Sequence, residues 1–447
     1  MGTTRTWRGF AVLLTVALAS VACGRDNTSS STTTAKPSGS TATTKAFIDP
    51  AKDCTDYKPT QGITGDTIKI GTVRPASGPY SIYDTVTKGI EKFFESQNAK
   101  GGIKAGDGKS YKVELVKEDD GYDPARTPAL VKKLVEQDGV FALVGDIGTE
   151  TNLAVRDYLN EKCVPSIALA TGSTEWGNAA KYPWYIAGLP SYATEVRAGL
   201  DYFSKTKPEA KIALLYQNDD FGKAYQAAIK KYISDTGSKM TVVDEESYDP
   251  SGGGTTEAAV VKAAASKADV YFVGIGGTQC PKTLTFIPAD WKPSVYVSIT
   301  CSGKLALSLA GGKDDGIYSA QATLDPSSPT DASNPVVQQY VTDAQAVGLT
   351  QSEIEGGIVS AGWGFAAIFA QSLSLAKDVT RAGVMNAAYS MKDQSFPLYR
   401  DDVKISTDDA KDPWLIESLR IVHREGGNWV EASPVVDYNG KSNSFAG

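Results

Sequence analysis

Of 447 residues, only one is a histidine, His423. A Ser-His-Asp or Cys-His nucleophilic site would have to use it, and a multi-histidine metal centre is excluded. His423 ends the alternating run Leu419-Arg420-Ile421-Val422-His423, which predicts a half-exposed strand residue. The remaining acid–base candidates are paired carboxylates, Asp119-Asp120 and Asp401-Asp402. They are what an extracellular hydrolase would use. Adjacent carboxylates in loops are more often solvated or bound to local backbone. No Gly-x-Ser-x-Gly, phosphate loop or Cys-x-x-Cys spacing occurs. The residue pattern therefore predicts no enzyme, no metal and no cofactor.

The composition is that of a soluble globular protein, 41% hydrophobic and 22% charged. The length allows two domains. Formal net charge is −7 and no long basic run exists, which argues against a nucleic-acid partner.

Cysteine is the other reactive residue type, with five copies: Cys23, Cys54, Cys163, Cys280 and Cys301. Arg5 and Arg8 precede an apolar run from Phe10 to Ala19, so residues 1–22 read as a signal peptide. Ser20-Val21-Ala22-Cys23 resembles the bacterial lipobox, with Ser20 where an aliphatic residue is usual. Cys23 is then the expected lipidation site, anchoring the chain to the outer face of the cell membrane. An ordinary secretory signal is the alternative. Residues 23–60 are expected to be a flexible tether, rich in Ser and Thr from Ser29 to Thr34. A tether of about 25 residues spans roughly 25–30 Å. Setting Cys23 aside leaves four cysteines in an oxidising compartment, with three pairings open. Cys54–Cys163 with Cys280–Cys301 is the pairing expected, and free buried thiols are the alternative.

The elements that position any site follow from hydrophobic period. Ile68 to Val73 alternates as a strand, and Val86, Ile90, Phe93 and Phe94 make one helical stripe. Strands are predicted at 111–116, 140–145 and 164–169, with helices between them. The pattern restarts after Pro190, with strands at 211–216, 240–243, 270–274 and 294–299. Alternation of this kind predicts an α/β fold: two doubly wound parallel-sheet lobes joined by a hinge. Residues 66–188 form the first lobe, completed by about 317–395, and 189–316 the second, completed by about 396–447. Ligands of open parallel sheets bind beyond the strand carboxyl ends, so two lobes would face one cleft.

These runs together resemble a family, the branched-chain amino-acid-type periplasmic binding proteins of ABC transporters. The similarity covers most of residues 66–425. It is carried by Ile70-Gly71-Thr72, Ser77-Gly78-Pro79-Tyr80, Gly101-Gly102-Ile103 and Glu118-Asp119-Asp120-Gly121-Tyr122-Asp123-Pro124. It continues through Leu134 to Val140, Val164-Pro165-Ser166-Ile167 and Tyr216-Gln217-Asn218-Asp219-Asp220-Phe221-Gly222. The resemblance implies a type I periplasmic binding protein fold, three hinge strands and a ligand held between the lobes.

It also implies ligand contacts. Ser77 and Tyr80 lie in the first turn. Thr149 matches the hydroxyl near the ligand carboxylate, although it also fits as a helix N-cap. Leu169, Ala170 and Thr171 match the next loop, and Phe221 matches an aromatic at the start of the second lobe's first helix. Two positions depart from the pattern. Gly276-Gly277 stands where an aromatic is frequent, which implies room for a bulkier ligand. Ser302 replaces the carboxylate that holds an α-ammonium; Asp146, Glu150 or Asp220 are the available substitutes. The expected function is capture of an amino acid or a related organic or aromatic acid, and its delivery to an ABC permease by a monomeric lipoprotein. A ligand-sensing receptor of the same fold, acting through a separate partner, is the second reading.

Overall fold

The computed structural model describes Gly2, residues 47–251 and residues 253–446. Cys23, the tether up to residue 46 and, Gly2 apart, the signal segment lie outside the described residues.

The strand Thr67–Arg74 buries Ile68 and then every residue from Ile70 to Val73. Burial on both faces is what a central parallel strand requires. Beside it lie Ser110–Asp119 on one side and Leu143–Val144, Ser166–Leu169 and Tyr185–Ala187 on the other, all parallel. A second sheet repeats the plan: Thr241–Tyr248, Lys211–Gln217, Val270–Gly274, Ser294–Val297 and Tyr318–Gln321, again parallel. Ser418–Glu425 and Asn428–Glu431 extend it in antiparallel fashion. In chain order, the parallel strands of both sheets run 2-1-3-4-5. The strand order reverses between strands 1 and 3, and the crevice there is where such sheets bind ligands.

The chain crosses between the sheets three times: after Ala187, after Gln321 and before Ser418. The second and third crossings run side by side. Leu324 N–H donates to the Leu398 carbonyl at 2.7 Å, and Thr323 bridges Tyr399. The helix Ile358–Leu375 is long and apolar enough to cross a membrane, yet most of it is buried, packed against the helix Asp84–Ala99. It is a core helix.

Several boundaries differ from the sequence reading. Tyr318–Gln321 lies in the segment expected to complete the first lobe, but it pairs in the second sheet. It is too short, and too polar at its ends, to announce its partner. Residues 47–60, read as the end of the tether, are docked. Ile48 is buried, its N–H donates to Asn386, and Tyr57 packs by Trp184. The expected strand at 140–145 is regular only at Leu143–Val144. Both disulfides are present, Cys54–Cys163 with Cα atoms 5.8 Å apart and Cys280–Cys301 at 6.1 Å. His423 is half-buried in its strand, 2.7 Å from Glu425.

Candidate functional site

In the first lobe, the loop after Leu143–Val144 turns into the helix Thr149–Lys162. Asp146 sits fully buried in that loop. Its carboxylate accepts from Val73 N–H at 3.0 Å and the Ser166 hydroxyl at 3.5 Å, and its carbonyl accepts from Ala170 N–H at 2.9 Å. One residue thus ties together the carboxyl ends of strands 1, 3 and 4. Burial pushes its carboxyl up to about 7.

Thr149 opens the helix, and its hydroxyl lies 2.7 Å from that of Thr171. Both are buried. Thr171 Oγ1 also accepts from Ser173 N–H at 3.3 Å. The N-cap is Gly148 rather than Thr149, at φ +107°. A Cβ there would fall 2.7 Å from the Tyr122 ring, so glycine lets that ring lie over the helix start. Tyr122 itself has φ +64°, held by its N–H donating to Asp120 at 2.9 Å and by stacking on Tyr80 at 4.1 Å. A bulky residue in this strained region is the kind that marks functional loops.

In the second lobe, Asp219 caps the helix Asp220–Thr236 by accepting from Gly222 N–H at 3.1 Å. This turn presents Phe221, whose ring meets Tyr192 edge-on at 4.9 Å. Gln217 Oε1 accepts from Gly276 N–H at 3.2 Å and from the Tyr80 hydroxyl of the other lobe at 2.8 Å. Tyr83 bridges as well, accepting from Gly277 N–H at 2.8 Å and donating to the Thr300 carbonyl at 3.3 Å. Asp220 N–H donates to Glu150 at 2.7 Å. These bonds hold the two rims closed on one another.

Between the rims lies a cavity of about 190 Å³. A single water needs only ~10–15 Å³ on this scale, so the space suits a small organic molecule. Tyr122, Gly148 and Ala170 line it from the first lobe, and Phe221, Gly276, Thr300 and Ser302 from the second. Of the residues expected from sequence, Ala170, Phe221, Gly276 and Ser302 reach the wall. Thr149 and Thr171 stand directly behind Gly148 and Ala170. Tyr80 is spent on the lobe contact. Ser77 is exposed and bonded to Asp119, and Leu169 is buried in the core; neither lines the cavity.

The extra room expected at Gly276-Gly277 is not there. A Cβ at Gly277 would lie 2.9 Å from the Tyr80 ring, and one at Gly276 would lie 3.2 Å from the Tyr83 hydroxyl. The glycines admit two tyrosines from the opposite lobe instead. Ser302 donates to the Ile299 carbonyl at 2.8 Å and brings no charge. Asp146, Glu150 and Asp220 do not reach the wall.

The carboxylate pairs of the hydrolase reading are bound elsewhere. Asp119 accepts from Ala76 and Gly121 N–H groups at 2.9 and 3.0 Å. Burial raises its pKa, but hydrogen bonds from Ser77 and these amides outweigh it and hold the group below the usual range. Asp120 is buried on Tyr122 N–H and Thr127, and Asp402 pairs with Arg400. Among the described residues no cluster of metal-ligating side chains occurs.

Sequence reasoning missed Tyr83, Tyr122, Tyr192 and Thr300. A signal existed for one: Gly121-Tyr122-Asp123-Pro124 is a turn that forces an aromatic into an unusual conformation.

A family model described as periplasmic binding protein matches residues 67–422, and the chain belongs to that family. The family consists of solute-binding proteins. A curated relative, a Leu/Ile/Val-binding protein homolog from Brucella melitensis, is 30% identical over 209 residues, 46% of this chain and 54% of its own length. The chain thus spans about half the length of the curated relatives it matches. A branched-chain amino-acid ABC transporter protein from Thermus thermophilus, solved with valine, superposes with TM-score 0.72 at 18% identity, covering 84% of this chain and 97% of its own. A solute-binding protein from R. palustris, solved with benzoate, gives TM-score 0.67 at 21% identity, covering 83% and 98%. At such identities the likeness concerns the fold.

Proposed function

We propose that the protein captures a small carboxylate, an amino acid or a related organic or aromatic acid, between its lobes and delivers it to an ABC permease. One observation carries the reading: the start of the helix Thr149–Lys162 stands at an interlobe cavity whose wall includes Gly148 and Ala170, and next to these two residues the buried Thr149 and Thr171 hydroxyls pair with each other. Unpaired N–H groups at a helix N-terminus favour an anion, and the threonine pair adds hydroxyl donors beside them. The relatives' ligands, branched-chain amino acids, valine and benzoate, share this carboxylate.

Binding, rather than catalysis, is the role. The cavity wall holds no nucleophile–base pair, and the chain's one histidine pairs with Glu425 and does not line the cavity. Lipidated Cys23 would hold the monomeric protein at the outer face of the membrane, where it can meet a permease. A thermal-shift screen against amino acids, organic acids and aromatic acids tests the function. A true ligand raises the melting temperature in proportion to the logarithm of its concentration above Kd. A flat response across all three classes would remove this reading.

A further inference from the structure

The cavity does not stop at the cleft. It continues inward to the place where the three crossings between lobes converge. Gly188 and Leu189 of the first crossing, Ala322 and Leu324 of the second, and Leu398 and Tyr399 of the third line this inner part. The helix Ile358–Leu375 closes it with Ala361, Gly364 and Phe365. Four of the residues facing the inner space are small, Ala320, Ala322, Ala361 and Gly364, which leaves room there. A Cβ at Gly364 would meet only Tyr399, its ring at 3.6 Å and its hydroxyl at 3.9 Å, both ordinary contacts.

Most charged and amide side chains at this end are already engaged. Gln321 Oε1 accepts from Arg420 Nε at 3.0 Å. Asp325 accepts from Ser327 N–H at 2.8 Å, and Lys304 pairs with Glu355 at 3.2 Å. What the inner wall offers a ligand is mostly apolar surface, with the Tyr399 and Thr323 hydroxyls as its free polar groups among the described residues.

We infer that the inner chamber receives an apolar tail, so the preferred ligand is a carboxylic acid with an extended alkyl or aryl-alkyl chain rather than a compact one. The inference rests on the carboxylate reading above and adds the second half of the site. The acid group lies at the Thr149–Thr171 rim, and the chain runs inward to the crossings. Because the chamber wall is the hinge itself, a tail seated there also packs the closed arrangement.

The test is a calorimetric titration of the purified protein with acetate, butanoate, hexanoate, octanoate, 3-phenylpropanoate and leucine. The same series is run on Gly364→Leu and Ala361→Leu, which place side chains in the chamber from a helix where leucine is well tolerated. For the unaltered protein, Kd should fall roughly fourfold per added methylene from butanoate until the chamber is full. In each leucine variant the ratio of octanoate and 3-phenylpropanoate affinity to butanoate affinity should collapse toward one, whatever the butanoate affinity itself does. Hexanoate and octanoate binding no tighter than butanoate in the unaltered protein would overturn the inference, whether or not a variant folds. Equal losses for short and long acids in folded variants would do the same. Failure of every compound, leucine included, would instead strike the carboxylate reading itself.

Discussion

The Tyr80 ring rests on the backbone of Gly277, so close that a methyl group on the glycine would fall 2.9 Å from the ring carbon. The two residues belong to opposite lobes, and the contact exists only when the cleft is shut. Gly277 also has φ +63°, a conformation most residues adopt at a cost. Gly277→Ala should therefore penalise closure on top of a general strain. Ligand affinity should drop roughly tenfold, about 1.4 kcal/mol. A calorimetric Kd compared with that of the parent protein checks it, with Gly312→Ala as a control: it too has positive φ, but open space around it.

Thr149 and Thr171 share one hydrogen bond, so their contributions to binding should not add. Either Thr→Val change should cost about 1–3 kcal/mol of ligand affinity. The double variant should cost less than the sum of the two, because the first change already frees the partner hydroxyl. A double-mutant cycle on Kd measures the coupling.

The two disulfides should contribute unequally. Cys54–Cys163 closes a loop with a sequence separation of 109, and Cys280–Cys301 one of 21. Loop-closure entropy assigns about 4.7 kcal/mol to a loop near the first size and about 3 kcal/mol to one near the second. Cys54→Ser with Cys163→Ser should lower stability in urea more than Cys280→Ser with Cys301→Ser. The first pair also pins residues 47–60, so its loss should expose that segment to proteolysis.

Stability should peak on the acid side of neutrality. Burial pushes Asp146 and Glu195 up to about 7 in the folded protein, above their unfolded values. Such groups favour the folded state below their unfolded pKa, and that contribution is lost as pH rises through about 7. Glu353 runs the other way. Its hydrogen bond from Lys88 holds it at about 2, so its contribution is present above its unfolded pKa and lost as the medium becomes strongly acid. Urea midpoints measured from pH 5 to pH 8 should decline with rising pH. A midpoint that climbs steadily to pH 8 would contradict the burial of these carboxylates.

Much of the architecture was legible in the sequence because its strands are buried on both faces. Ile68 to Val73 announces itself by alternation and Val270 to Gly274 by continuous apolar character, and the alternation with helices dictates parallel sheets. Short strands such as Tyr185–Ala187 and Tyr318–Gln321 carry too few residues to show a period, and their place depends on the sheet around them. Ala170, Phe221 and Ser302, singled out by the family resemblance, do reach the cavity wall, and each lies in a turn after a readable strand. The site was not legible where it depends on the opposite lobe. Nothing in Gly276-Gly277 alone says that Tyr80 and Tyr83 will fill the space, and no local pattern shows three distant crossings converging on one chamber.

The most direct test of the whole account is one calorimetric titration of the purified protein with the acid that gives the largest thermal shift, repeated on the Thr149→Val, Thr171→Val double variant. The account predicts saturable binding at one site per chain, with the acid recovered unchanged and the affinity strongly reduced in the double variant. Absence of saturable binding, conversion of the acid over time, or unaltered affinity in the double variant would contradict it.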